Sequence, residues 1–164
     1  MKQHKIQIDF KEYQSIDEFS EKEQKVIRVA LKSLKNAYAP YSHFQVGAAV
    51  LLENNEIIIG NNQENAAYPS GLCAERVALF YANAKYPNSP VSLLVVAAGQ
   101  NNVLTNEPAT PCGACRQVIL ETELRFKKPI KIIMVGQNKI FAFNSVKALL
   151  PMSFDPDLIE NENN

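Results

Sequence analysis

Tryptophan is absent from the 164-residue chain, which carries only three cysteines and two histidines. Net charge is absent too, because seventeen Lys+Arg balance seventeen Asp+Glu. A protein that grips a polynucleotide usually carries a basic excess to displace counterions from the phosphates, so nucleic acid is disfavoured as a partner. No apolar run approaches the ~18–20 residues of a membrane span. The opening stretch Met1–Phe10 lacks the apolar core of a secretory signal. We therefore expect no membrane partner and a cytoplasmic location. An odd number of cysteines without such a signal argues against a disulfide scaffold and for reduced thiols. Internal repeats, low-complexity tracts and Gly/Ser linkers are missing as well. What remains is 46% hydrophobic and 21% charged, enough apolar material for the core of one domain.

Periodicity places the elements. Lys5–Phe10 alternates apolar and polar residues, as a half-buried edge strand does. Ser20 and Glu23 form a capping box, and Val26, Ile27, Ala30, Leu31, Leu34 and Tyr38 recur at helical spacing until Pro40 ends the run. Strands at Phe44–Leu52 and Glu56–Asn61 are joined through Glu53-Asn54-Asn55, a hairpin in which Asn tolerates positive φ. A helix is expected over Cys73–Lys85, a doubly buried strand at Leu93–Ala98, and a second helix over Cys112–Phe126. The strand at Ile130–Val135 completes a β–α–β unit and hence a parallel pair. Ile140–Phe143 follows so closely that it must turn back antiparallel. The sum is an α/β protein: a three-layer α/β/α arrangement around a mixed five-stranded sheet, with an additional N-terminal edge strand. We expect an N-terminal extension over 1–19, the domain over 20–155, and a polar tail over 156–164.

Two short segments carry chemistry: Cys73-Ala74-Glu75-Arg76 and Pro111-Cys112-Gly113-Ala114-Cys115. Cys112 and Cys115 share one helix face, and all three thiols fall at expected helix starts, where unpaired N–H groups and the dipole stabilise thiolate. Three protein ligands with an open fourth position mark a catalytic rather than a structural zinc site. Glu75, two residues past Cys73, would overhang that open position without being a ligand. A thiol–disulfide pair leaves Cys73-Ala74-Glu75 unexplained. A structural zinc clip needs a fourth ligand, and neither His4 nor His43 has ligand-like spacing to the cysteines; His43 reads as polar packing. Three thiolates around Zn²⁺ sum to −1, and Arg76 is placed to withdraw part of that charge.

The pairing of C-x-E with P-C-x-x-C is the three-cysteine form of the zinc nucleobase deaminase signature. From Tyr38 to Phe154 the chain resembles the small, homotetrameric cytidine deaminases. The resemblance rests on Tyr41-Ser-His-Phe44-Gln-Val-Gly-Ala, Asn62-Gln-Glu64-Asn-Ala-Ala-Tyr-Pro, the two cysteine segments, and Leu149-Leu-Pro-Met-Ser-Phe154. It implies hydrolytic deamination of free cytidine and deoxycytidine to uridine and deoxyuridine, with one Zn²⁺ per chain on Cys73, Cys112 and Cys115. It makes Glu75 the proton shuttle and Arg76 the partner of the thiolates. Asn62 and Glu64 would hold the ribose, and the main chain at Ala66 would read the base edge. Phe44 would pack against the pyrimidine, with Phe154 of a neighbouring subunit in a homotetramer closing the site. Tyr68 would line the same pocket or only the subunit contact. The first twenty or so residues are longer than the family's usual N-terminus. Two other readings stay open: a deaminase of the same fold acting on a different aminated heterocycle, and a non-catalytic zinc-clipped binding module.

Overall fold

Alternation along the central strands sends successive side chains to opposite faces, and two cores result. The computed structural model describes residues 1–101 and 103–156. Its strands are β1 (Lys11–Tyr13), β2 (Gln45–Leu52), β3 (Ile57–Asn61), β4 (Val91–Gln100), β5 (Val103–Leu104), β6 (Lys131–Val135) and β7 (Ile140–Phe143). Its helices are α1 (Glu21–Ser33), α2 (Ala74–Lys85) and α3 (Gly113–Phe126). The sheet runs β1-β7-β6-β4-β2-β3, with β5 paired to the end of β4. The β4–β6 pair is parallel, as the β–α–β reading requires, and β6–β7 is an antiparallel hairpin.

Ala48, Val50, Leu94, Val96, Ile132 and Met134 face α2 and α3 and pack with Ala78, Leu79, Ile119 and Leu120. Ala49, Leu51, Leu93, Val95 and Ile133 face α1 and pack with Val26, Ile27 and Ala30. The three-layer expectation holds. The alternation is broken once: Leu51 pairs with Leu93 but Leu52 pairs with Val91, so Ser92 is extruded as a bulge. Its hydroxyl donates to the Leu51 carbonyl at 3.0 Å.

Seven strands form where five and an edge were expected. The five are β2, β3, β4, β6 and β7, and β5, only two residues long, is too short to show a period. The edge strand exists but is displaced, from 5–10 to Lys11–Tyr13. It is there that the chain meets β7, Lys11, Glu12 and Tyr13 pairing with Ala142, Phe141 and Ile140. Phe10 instead stacks on Phe143 at 5.2 Å and meets Phe141 edge-on at 5.0 Å.

The capping box at Ser20 forms as read, with Ser20 N–H donating to Glu23 at 3.0 Å. The helix does not reach Pro40, however. It ends at Ser33 and tightens to a 3₁₀ turn over Leu34–Asn36. Ser33 Oγ donates back to the Ala30 carbonyl at 2.8 Å and also reaches Gly60 O at 3.2 Å, tying the helix end to β3. Tyr38 consequently leaves the helix and is exposed. Of the expected tail, only Pro156 belongs to the described residues. No helix among the described residues is long and apolar enough to cross a membrane.

Candidate active site

Cys73 and Cys112 are the N-cap residues of α2 and α3, and Cys115 lies in the first turn of α3. Neither N-cap side chain caps a backbone N–H of its own helix, which leaves both thiols available to each other. Cys73 Sγ lies 3.8 Å from Cys112 Sγ, and Cys112 Sγ lies 3.5 Å from Cys115 Sγ. All three sulfurs fall within 4.8 Å of one another. Tetrahedral ligation at a zinc–sulfur length of ~2.3 Å separates sulfurs by about 3.8 Å. The donor set therefore fits zinc, with three soft ligands and a fourth position left over.

The charges around the cluster are set by its neighbours. A hydrogen bond from the Cys115 thiol, against the penalty of burial and with help from Arg76, brings Cys73 down to about 5. Cys115 moves the opposite way, because it keeps its proton to donate a hydrogen bond to the Cys73 sulfur and is itself buried. Arg76 Nη2 stands 3.7 Å from Cys73 Sγ. Glu75 is only 3% exposed, and that burial, with the nearby Cys73, pushes its carboxyl above the usual range. A carboxyl group so raised holds and releases protons closer to neutrality than an ordinary glutamate.

The cluster opens onto a cleft of about 680 Å³. Of the residues expected in the site, Phe44, Asn62, Glu64, Tyr68, Cys73, Glu75, Arg76 and Cys112 line it. Ala66 is exposed and is not part of the lining. Phe154 also stands outside its own chain's cleft, 63% exposed, with its carbonyl accepting from Gln117 Nε2 at 2.9 Å.

Asn62 and Glu64 are tied to the start of β2 and the loop before it. Asn62 Oδ1 accepts Val46 N–H at 2.8 Å, and its Nδ2 donates to the Phe44 carbonyl at 2.9 Å. Glu64 Oε2 accepts the N–H groups of Tyr41 and Ser42 at 2.9 and 3.2 Å, and Oε1 accepts the Ser42 hydroxyl. With Ser42 as the main cause, these bonds hold the Glu64 carboxyl below its ordinary range. His43 is not packed: it is exposed and occupies a left-handed turn position at φ 57°. Sequence reasoning missed Ser42, Arg116 and Gln117. Arg116 donates to the Pro111 carbonyl at 2.8 Å and to the Leu149 carbonyl at 2.6 Å. Main-chain carbonyls leave no signature in a sequence, so only the fold reveals these links.

Residues 20–141 match the family model described as "Cytidine and deoxycytidylate deaminase zinc-binding region". The chain belongs to the cytidine deaminase family. A cytidine deaminase of Halalkalibacterium halodurans is 46% identical over 98 residues, 60% of this chain and 70% of the relative. One from Mycobacterium tuberculosis is 34% identical over 136 residues, 81% of this chain and 90% of the relative. The crystal structure of cytidine deaminase from Burkholderia pseudomallei superposes with a TM-score of 0.68 at 36% identity, covering 79% of this chain and 97% of that one. As a member of the family the protein is a hydrolytic deaminase of cytidine, and zinc is its cofactor.

Proposed function

We propose that the enzyme converts free cytidine and deoxycytidine to uridine and deoxyuridine with release of ammonia, in pyrimidine salvage. The observation that carries this reading is the buried Glu75 carboxyl beside three clustered thiols, at the wall of a cleft that also presents Asn62 and Glu64. The thiols need a reducing compartment, which supports a cytoplasmic setting.

Cys73, Cys112 and Cys115 would hold one zinc per chain, which would supply the Lewis acidity that makes water nucleophilic near neutral pH. Glu75 takes a proton from the attacking water and delivers it to N3 of the base. The proton remaining on the oxygen at C4 then passes through the same carboxylate to the amino group. The C4–N bond breaks, ammonia leaves, and the C4 carbonyl of uridine remains. Arg76 draws charge from the thiolates by its contact with Cys73.

Phe44 forms one wall for the pyrimidine. Ala74 sits between Cys73 and Glu75 as the first residue of α2, where helix geometry leaves its N–H without an intrahelical acceptor. We assign reading of the base carbonyl to that N–H, which the helix start places between Cys73 and Glu75, two residues that line the cleft. Glu64 already accepts three hydrogen bonds, and a carboxylate has about four lone-pair sites. One site is left for the ribose 3′-hydroxyl, and Asn62 keeps a spare donor for the same sugar. A carboxylate at this point repels a 3′-phosphate, which favours a free nucleoside. Tyr68, 76% exposed, and Phe154 are apolar surface that a neighbouring subunit would cover, consistent with a homotetramer in which Phe154 closes the adjacent cleft.

A substrate panel of cytidine, deoxycytidine, cytosine and cytidine 3′-phosphate, followed at the cytosine absorbance band, tests the reading. Turnover is expected for the two nucleosides alone. Glu75→Gln should keep one zinc per chain and lose turnover by several orders of magnitude. Full activity in a metal-loaded Glu75→Gln enzyme would remove Glu75 from its role. Sedimentation at assay concentration tests the assembly, and a fully active monomer would contradict it.

A further inference from the structure

One hydroxyl stands between the aromatic wall of the cleft and its carboxylate. Ser42 Oγ accepts the Phe44 N–H at 3.0 Å and donates to Glu64 Oε1. His43, between Ser42 and Phe44, stands in the left-handed region at φ 57°. The two backbone amides that bind Glu64 both go to Oε2. Among the described residues, the hydrogen bond to Oε1 comes from Ser42.

We propose that Ser42 is a positioning residue: it locks Phe44 and Glu64 into one unit and thereby sets the enzyme's selectivity for the sugar 3′-hydroxyl. The proposal rests on the assignment of Glu64 to the ribose. The position requires an oxygen on the β-carbon that accepts and donates at once. Threonine supplies it, whereas alanine supplies neither function. Without the hydroxyl, Glu64 keeps its amide bonds on Oε2 but its plane is free to turn. The Phe44 N–H at the same time loses its acceptor. The oxygen that should receive the sugar is then no longer fixed.

The test compares cytidine with 3′-deoxycytidine in zinc-loaded wild type, Ser42→Ala, Ser42→Thr and Glu64→Gln. Wild type is expected to prefer cytidine in kcat/KM. Ser42→Ala should lose about tenfold of that preference, the strength of one hydrogen bond to a charged group, through a raised KM for cytidine. Ser42→Thr should restore it. If Ser42→Ala only lowers Tm, or depresses both substrates alike, the preference survives and the proposal is overturned. If Glu64→Gln loses the preference while Ser42→Ala keeps it, the proposal fails and the ribose assignment stands. A wild type without any preference overturns both.

Discussion

Gly60 of β3 lies so close to Ala74, the first residue of α2, that a β-carbon there would collide with the Ala74 carbonyl and come within 2.7 Å of the Ala78 nitrogen. This contact seats the helix start that carries Cys73, Glu75 and Arg76. The opposing atoms are helix backbone and have no rotamer to swing aside. Gly60→Ala should therefore destabilise the fold by about 1–3 kcal/mol, the usual cost of overpacking, and lower zinc content along with activity. Urea unfolding and metal analysis check this, and a stable, zinc-replete variant would contradict it.

Arg116 bridges the loop ahead of Cys112 to the C-terminal segment through the Pro111 and Leu149 carbonyls. Arg116→Met keeps the apolar stem and removes the donors. A loss of about 1–3 kcal/mol in urea is expected from the unpaired carbonyls. KM for cytidine should rise as well, because the segment leading to Phe154 is loosened.

Arg76→Gln removes the cation 3.7 Å from Cys73 Sγ. A neighbouring positive charge lowers the pKa of acidic groups by about 1–3 units. Compared at equal zinc content, the variant should show lower kcat/KM and an acidic limb moved to higher pH. A wild-type profile with wild-type turnover would make Arg76 a bystander.

Glu23 gives a stability signal that acid removes. Burial opposes ionisation, but Lys131 at 2.6 Å and the Ser20 cap outweigh it and hold the carboxyl below its ordinary 4.5. The folded value lies under the unfolded one, so the contribution is complete above about pH 4.5 and fades as pH falls through the folded value. Glu23→Gln should cost about 1 kcal/mol at pH 7, the usual size of a cap with a partly exposed ion pair. The difference between variant and wild type should close on acidification. An equal gap at pH 7 and pH 3 would contradict the assignment.

Local chemistry was legible in the chain itself. The α1 start could be read because Ser20 and Glu23 are three residues apart and satisfy each other. Strands β2 to β4 and β6 to β7 could be read because a sheet covered on both faces demands short continuous apolar runs. The metal cluster was legible for another reason: three thiols and a glutamate in that order leave few alternatives in zinc chemistry. The structure then brought the sulfurs to tetrahedral spacing.

Tertiary structure decided whatever depended on a distant partner. The register of β1 is set by its pairing with the distant β7, and no pattern within residues 5–10 reports that pairing. The early end of α1 follows from Ser33, whose hydroxyl reaches Gly60 twenty-seven positions away. The sequence reading placed His43 in packing, whereas the fold exposes it. Ser42 with Glu64, and Arg116 with Leu149, meet only after the sheet has formed. The physical reason is common to all of these: a hydrogen bond to a remote backbone or carboxylate depends on position in space. The amino-acid order alone encodes that position only through the completed packing.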